Sequence, residues 1–134
     1  MKIRTGTDIV AVARIMKILE DKKESFLAKC FTEGEREYAQ SFSSIQRQAE
    51  IYSARFAAKE AASKALGTGL CSDGITFRDF EVTRDAKGAP GLVFHGRALQ
   101  IAEEYKIKSV SVSLSHEKDY AVAVCSILTD EEDI

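Results

Sequence analysis

The sequence of 134 residues predicts an α+β fold with a mostly antiparallel sheet. After one short strand, the first half has the apolar spacing of helices, whereas most of the second half alternates apolar and polar residues as strands do. The expected order is one strand, several helices, two strands, a helix and two strands. Because short turns join the strands of the second half, those strands are expected to pair antiparallel.

The first elements follow from local patterns. Residues 2–10 predict a strand, in which Gly6 indicates a bulge or a close approach of another backbone segment. Apolar residues at helical spacing predict a helix over 12–22 and a second, short helix that holds Phe26 and Leu27.

Helix signals also bound the next two elements. Thr32 and Glu35 have the spacing of a capping box, which predicts a helix that ends near residue 41. The longest helix is expected to begin after one of two adjacent serines and to end at Leu66, with Gly67 just beyond its end.

The second half predicts strands and one helix. Residues 75–82 have the pattern of extended chain, and a turn at 85–90 makes 79–95 a hairpin. The remaining predictions are a helix at 96–105 and strands at 109–116 and 120–128.

Length and composition predict a single domain over 1–134, with 130–134 as a solvated acidic tail. Residues 1–129 carry a net charge of +2, which argues against a nucleic-acid binder. The sequence has neither a signal peptide pattern nor an apolar run long enough to span a membrane. Three widely spaced cysteines indicate reduced thiols, so we expect a cytoplasmic protein.

Two carboxylates are the first candidates for a functional site. The long helix is apolar nearly all round, which is typical of a buried helix, and Glu60 stands among its alanines. Its carboxylate needs a partner or a cation there, and Lys64, four residues on, is the simplest partner. Asp8, in the first strand, is either a turn or cap residue or a second cation ligand. Two such carboxylates could share one magnesium ion.

Weaker candidates stand at the ends of other elements. His116 ends an alternating strand at a turn, and His95 has the position of a surface residue. Gly67 and Gly69 could present backbone N–H groups to an anion, but a helix stop explains them equally well. The common nucleotide-binding glycine motifs do not occur.

Together, four segments resemble the bacterial holo-acyl-carrier-protein synthases, the short single-domain class of the 4′-phosphopantetheinyl transferases. They are the GxDI start at 6–9, the helix FAAKEAASKALGTG at 56–69, the KGAP turn at 87–90 and the SLSH strand at 113–116. The resemblance runs from about residue 4 to residue 127. It implies the phosphopantetheinyl transferase fold, a mostly antiparallel sheet with a long central helix.

The resemblance also implies a magnesium enzyme. Asp8 and Glu60 match the family's metal ligands, and Lys64 matches a contact to the coenzyme A pyrophosphate beside that metal. Further positions match residues that line the coenzyme A site, namely Arg47, Arg55, Ser63, Gly67, Gly88, Pro90, Ser115 and His116. Lys87 and Ala89 depart from the common Asn-Gly-Lys-Pro order, which leaves adenine-side contacts of this turn open.

The implied reaction moves 4′-phosphopantetheine from coenzyme A to a serine of an apo acyl carrier protein, and adenosine 3′,5′-bisphosphate leaves. This reaction supports fatty acid biosynthesis. The base is either Glu60 or a metal-held water, and the metal in the cell is magnesium or manganese. Carrier proteins of this class are acidic, and Arg14 matches a position that touches them. Short members of the family are homotrimers with active sites at subunit interfaces.

Two other classes remain open from the residues alone. One is a different metal-dependent enzyme that acts on a nucleotide or a pyrophosphate. The other is a non-enzymatic trimeric domain that binds acidic partners. Coenzyme A binding with and without magnesium separates the three classes.

Overall fold

A computed structural model describes residues 1–131 and has the predicted α+β architecture. The elements, in chain order, are β1 (Lys2–Ala11), α1 (Val12–Cys30), α2 (Glu33–Gln40), α3 (Ile45–Leu66), a 3₁₀ turn (Phe77–Asp79), β2 (Phe80–Arg84), β3 (Pro90–Phe94), α4 (Gly96–Glu104), β4 (Ile107–His116) and β5 (Tyr120–Thr129).

Two antiparallel sheets contain these strands. The larger has the order β1–β5–β4, and the smaller is the predicted hairpin of β2 and β3. Helix α3 packs on the inner face of the larger sheet and is buried along most of its length. The outer face of that sheet is not covered by any element within residues 1–131.

Gly6 makes the close packing of β1 on α3 possible. A Cβ atom at this position would lie 2.0 Å from the carbonyl oxygen of Ala61 and 2.8 Å from the amide nitrogen of Ala65. Only a residue without a side chain fits such an approach. The predicted close approach of another backbone segment is therefore confirmed, and the alanines of α3 supply the other surface.

The helix ends follow the predicted signals. Thr32 and Glu35 form a capping box, and the left-handed Gly67 ends α3. The two helices predicted in the segment after β1 form α1, whose backbone leaves helical geometry at Lys22 (φ −141°, ψ 44°). The kink thus lies at the predicted boundary.

The prediction of extended chain over 75–82 is wrong at its centre, where residues 77–79 form a 3₁₀ turn. The reason is a buried ion pair that local patterns do not reveal. Lys59 donates to Glu35 Oε1 at 2.8 Å and to the carbonyls of Phe77 and Phe80, which fold toward it. Because all three acceptors satisfy the buried ammonium group, the pair ties α2, α3 and β2 together.

The acidic tail is not fully solvated, contrary to the prediction. Arg4 donates from Nε to Glu131 Oε2 at 2.8 Å, and Thr129 donates to the same oxygen at 2.7 Å. These hydrogen bonds lower the pKa of the Glu131 carboxyl to about 2. Residues 132–134 of the tail lie outside the described residues.

Candidate functional site

Asp8, Glu60 and Lys64 form one cluster where β1 crosses α3. Asp8 and Glu60 are half-buried, whereas Lys64 is exposed. The ammonium group of Lys64 donates to Asp8 Oδ1 at 3.2 Å and to the carbonyl oxygen of Thr7 at 2.9 Å. Among the described residues, Glu60 has no ion pair, so the simple helix salt bridge between Glu60 and Lys64 is absent. Lys64 instead ties the helix to the strand.

The electrostatics of this cluster favour a bound cation. Burial raises the pKa of the Glu60 carboxyl, and the nearby Asp8 carboxylate raises it further. Lys64 and Arg14 oppose this shift without cancelling it. Two carboxylates that repel each other in a half-buried place gain most from a divalent cation between them.

The donor set fits magnesium. Within residues 1–131 there is no group of three or more acidic, histidine or cysteine side chains that could enclose a metal ion. Magnesium does not need such a cage, because it takes one or two carboxylates and completes its shell with water and substrate phosphates. Asp8 and Glu60 are thus sufficient protein ligands for a metal that arrives with a phosphate.

Five predicted nucleotide-site residues meet at one cavity on the other side of α3. The cavity has a volume of about 180 Å³ and lies between α2, α3, the turn after β2 and the end of β4. The predicted residues that line it are Arg47, Arg55, Gly88, Pro90 and His116. They come from segments up to 69 positions apart, so packing alone brings them together.

The cavity wall is basic. Among the described residues, its lining includes three arginines and a histidine but no carboxylate, and Arg55 is 6% exposed. The guanidinium carbon of Arg55 lies 4.5 Å from the centroid of the Tyr38 ring. An anion of nucleotide size is the ligand that such a wall favours.

Sequence reasoning missed two residues that line this cavity and one that holds a lining residue. Tyr38 and Arg84 line it, and Oε1 of Glu50 accepts a hydrogen bond from Nδ1 of His116 at 2.9 Å. Burial opposes ionisation of Glu50, but hydrogen bonds from Gln46 and His116 outweigh burial and lower its pKa. No local pattern marks these residues, since each acts through contacts distant in sequence.

Three predicted residues do not line the cavity. Ser63 is buried and donates its hydroxyl proton to the carbonyl oxygen of Glu60 at 2.7 Å. Gly67 donates its N–H to the carbonyl oxygen of Lys64 at 3.0 Å, so the helix stop uses this group. Ser115 is exposed on the outer face of the large sheet, opposite Val122.

The carboxylate cluster and the cavity lie on opposite sides of α3. Ile51 and Glu60 are nine residues apart, as are Arg55 and Lys64, which places each pair about 180° apart around the helix. The cluster is built on β1 and the cavity on β4, which are the two outer strands of the large sheet. One chain therefore presents the carboxylate cluster and the cavity in different directions. We call these two groups of residues the two half-sites.

A larger depression of about 400 Å³ lies elsewhere, beside α2, and holds none of the predicted residues. Its wall mixes acids and arginines, so it has no net preference for an anion. The candidate site is therefore the carboxylate cluster with the basic cavity, and not this depression.

Comparison with known proteins identifies the family of this chain. Residues 4–125 match the 4′-phosphopantetheinyl transferase superfamily. The holo-[acyl-carrier-protein] synthase of Carboxydothermus hydrogenoformans is 48% identical over 94% of this chain and 98% of its own length. The corresponding protein of Koribacter versatilis is 44% identical over 92% and 95%. The chain therefore belongs to the 4′-phosphopantetheinyl transferase superfamily, in the family of the holo-[acyl-carrier-protein] synthases.

Solved structures of this family share the fold. The Bacillus anthracis synthase, in complex with coenzyme A (3′,5′-ADP), has a TM-score of 0.76 and 35% identity, over 92% of this chain and 94% of that one. The Helicobacter pylori synthase, in complex with coenzyme A, has a TM-score of 0.80 and 29% identity, over 92% and 99%. Both likenesses extend over nearly the whole chain. Within residues 1–131, every helix is too short or too polar to cross a membrane.

Proposed function

We propose that this protein transfers 4′-phosphopantetheine from coenzyme A to a serine of an apo acyl carrier protein, with a magnesium ion held by Asp8 and Glu60. The observation that carries the proposal is the pair of half-buried carboxylates with Lys64 beside them. This arrangement provides for phosphoryl transfer, in which positioning and charge stabilisation do most of the catalytic work.

The residues of the cluster have separate tasks. Asp8 and Glu60 would hold the metal, which supplies positive charge to the pyrophosphate oxygens when bound. Lys64 contributes a second positive charge on the side of the leaving group. The incoming serine hydroxyl needs a base, and either the Glu60 carboxylate or a water on the metal can take its proton.

The cavity holds the nucleotide end of coenzyme A. Arg47 and Arg55 provide charge for phosphate, while Gly88, Pro90 and His116 shape the wall. Free Cys30, Cys71 and Cys125 suit a reducing compartment, and we place the enzyme in the cytoplasm.

Mass spectrometry tests this function directly. An apo carrier protein incubated with coenzyme A, magnesium and this protein is expected to gain the mass of one phosphopantetheine on a serine. A reaction without magnesium, after treatment with a chelator, is the control for the metal. Release of a nucleotide without any gain on the carrier would instead favour a different pyrophosphate enzyme, and an absence of coenzyme A binding would favour a non-enzymatic interaction domain.

Replacement of Lys64 by methionine separates a catalytic charge from a structural contact. The salt bridge from Lys64 to Asp8 is largely exposed and contributes at most about 1 kcal/mol to stability. A lost transition-state charge costs about 10²–10³-fold in turnover. We therefore expect a small change in melting temperature together with turnover at least about a hundredfold slower. Turnover within a few-fold of wild type would remove Lys64 from the site.

The carrier protein docks on the first half of α1. A groove of about 320 Å³ there is lined by Arg14, Lys17, Ile18, Asp21 and Lys22. Its excess of positive charge suits an acidic partner, and Arg14 lies close enough to Glu60 to influence its pKa. A carrier bound in this groove would present its serine to the carboxylate cluster.

Charge reversal in this groove should weaken the binding of the carrier protein but not that of coenzyme A. We expect Arg14→Glu to raise KM for the carrier roughly tenfold and to leave KM for coenzyme A near the wild-type value. The effect should decrease at high salt, because salt screens exposed charges. Lys22→Glu, eight residues farther along α1 in the same groove, is the matched variant and should act in the same direction. An equal rise in KM for both substrates would contradict docking of the carrier protein in this groove.

The enzyme acts as a homotrimer with its sites between subunits. Alternate residues of β1 and β5 form an apolar outer face on the large sheet. Its exposed side chains are Ile3 (70% exposed), Ile9 (65%), Tyr120 (53%), Val124 (43%) and Val122 (37%). Such a face is typical of a subunit interface. Assembly through it also explains the two half-sites, because the carboxylates of one copy can meet the cavity of the next.

Disruption of the outer face should abolish assembly and transfer together. Val124→Lys places a charge at the centre of this face, and we expect a monomer by size-exclusion chromatography with light scattering. A mixed assembly provides the control. Asp8→Ala and Arg47→Glu subunits should each be inactive alone, because one lacks an intact carboxylate cluster and the other an intact cavity. When the two are mixed in equal amounts, about a quarter of wild-type activity should return, because one site in four then combines two intact halves. A monomeric but active wild-type enzyme would contradict the shared site.

A further inference from the structure

The buried ion pair of Lys59 and Glu35 lies outside the reacting centre. The two residues are 0% and 1% exposed, and the Lys59 ammonium donates to Glu35 Oε1 at 2.8 Å. Its other hydrogen bonds go to the carbonyl oxygens of Phe77, at 3.2 Å, and Phe80. An ammonium group has three donors, so none is left for a substrate. Lys59 therefore does not contact coenzyme A, although Glu60 follows it in the chain.

The Glu35 carboxylate connects this pair to two further elements. Its Oε1 also accepts a hydrogen bond from the backbone N–H of Thr32 at 2.8 Å, and its Oε2 accepts one from the N–H of Val82 at 2.9 Å. Thr32 caps α2, and Val82 lies in the middle of β2. The start of α2 and the centre of β2 are thus held to the same buried group as α3.

The two elements held by Glu35 also carry the wall of the cavity. Tyr38 lies one turn after Glu35 on α2, and Arg84 lies two residues after Val82 on β2. Residues at these spacings share one face of a helix or of a strand. The guanidinium carbon of Arg84 lies 4.3 Å from the centroid of the Tyr38 ring. This contact depends on how α2 lies relative to β2, which the Glu35 carboxylate fixes.

A second hollow shows that the ion pair and the cavity wall are adjacent. It has a volume of about 250 Å³, and its lining includes Glu35 together with Tyr38, Arg55 and Arg84, which also line the cavity. Burial lowers the pKa of Arg55, whereas Tyr38 and the Glu35 carboxylate oppose this shift. The ion pair and the wall are therefore neighbouring layers of one packed unit between α2, α3 and β2.

We propose that Lys59 and Glu35 are positioning residues for coenzyme A: they hold α2 and β2 against α3 and so keep the cavity wall in the arrangement that binds the nucleotide end of the substrate. The inference rests on the proposed function, which assigns that end to the cavity. Buried ion pairs add little net stability compared with apolar residues of similar size. The pair is better explained by the geometry that it fixes than by the stability that it adds.

Three variants separate positioning from stability. Lys59→Met and Glu35→Gln each leave a buried charge without its partner, whereas the double variant removes both charges. We therefore expect the double variant to melt at a higher temperature than either single variant. Isothermal titration calorimetry with magnesium measures the affinity for coenzyme A. This affinity should be lower than that of wild type by about tenfold or more in all three, because a displacement of about 1 Å in a site has effects of this size.

A destabilised variant outside this unit is the matched control. Ile127→Val removes a methylene group from a fully buried side chain of β5, so it should lower the melting temperature and leave the affinity for coenzyme A near the wild-type value. In the double variant, KM for the carrier protein should also stay near the wild-type value. The groove for the carrier lies on the first half of α1, which the ion pair does not hold.

The outcomes separate the inference from the function beneath it. If the affinity for coenzyme A recovers in the double variant together with the melting temperature, the pair is structural, and the proposed function still stands. Wild-type affinity in a folded Lys59→Met variant would also overturn the positioning role. A wild-type protein that does not bind coenzyme A would overturn the proposed function, and this inference with it.

A charge-preserving variant covers the case in which loss of a buried charge prevents folding. Glu35→Asp keeps the negative charge but shortens the side chain by one methylene group, so its carboxylate no longer reaches Lys59 and Val82 together. We expect a folded protein with weakened binding of coenzyme A. Wild-type affinity in Glu35→Asp would show that the exact position of this carboxylate does not matter for binding, which would refute the inference.

Discussion

Replacement of Asp8 or Glu60 by alanine is expected to abolish phosphopantetheine transfer while the protein stays folded. Each variant removes one of the two proposed protein ligands of the metal, and we expect turnover to fall by about 10³-fold or more. Melting temperature should change little, because the two carboxylates repel each other and the only ion pair of Asp8 among the described residues is the exposed one to Lys64.

A second measurement shows that the loss arises at the metal. Binding of coenzyme A to wild type should strengthen as magnesium is added, whereas Asp8→Ala and Glu60→Ala should lose this dependence. Glu103→Ala, which removes an exposed acid on α4, is the matched control and should leave both activity and magnesium dependence unchanged. Near-normal transfer by Asp8→Ala at saturating magnesium would refute a shared cation.

Gly6→Ala is expected to have the largest effect on stability. The added methyl group would lie 2.0 Å from the carbonyl oxygen of Ala61, and neither β1 nor the buried α3 can move without opening the core. Overpacking of this kind costs about 3 kcal/mol or more, which corresponds to a melting temperature lower by about 10 °C. Thermal unfolding followed by circular dichroism measures this effect.

Gly34→Ala is the matched control on α2. A Cβ atom at Gly34 meets only Glu81 Oε2, at 3.6 Å, which is ordinary contact. Because alanine favours the helix, this variant should be as stable as wild type or more stable by about 0.5–1 kcal/mol. If Gly6→Ala melted at the wild-type temperature, the close packing of β1 on α3 would be refuted, and with it the way in which Asp8 is brought to Glu60.

Much of the fold was predictable because its signals are local. A capping box at Thr32 and Glu35, a glycine stop at Gly67 and the alternating strands at the end of the chain depend on neighbours a few residues away. The 3₁₀ turn at 77–79 was missed for the same reason, since it depends on Lys59, about 20 residues earlier.

By itself, the sequence determined the order of the elements, the buried long helix, the close approach at Gly6 and, through its resemblance, the family. Tertiary structure alone decided that Lys64 contacts Asp8, 56 positions away, rather than Glu60 on its own helix. It also decided that Tyr38 and Arg84 line the cavity, that Glu50 contacts His116, and that α3 separates the two half-sites. The physical reason is that periodicity and helix caps reflect the contacts of a residue with its own segment. Ion pairs, stacking contacts and the direction in which a site opens depend instead on how distant segments pack.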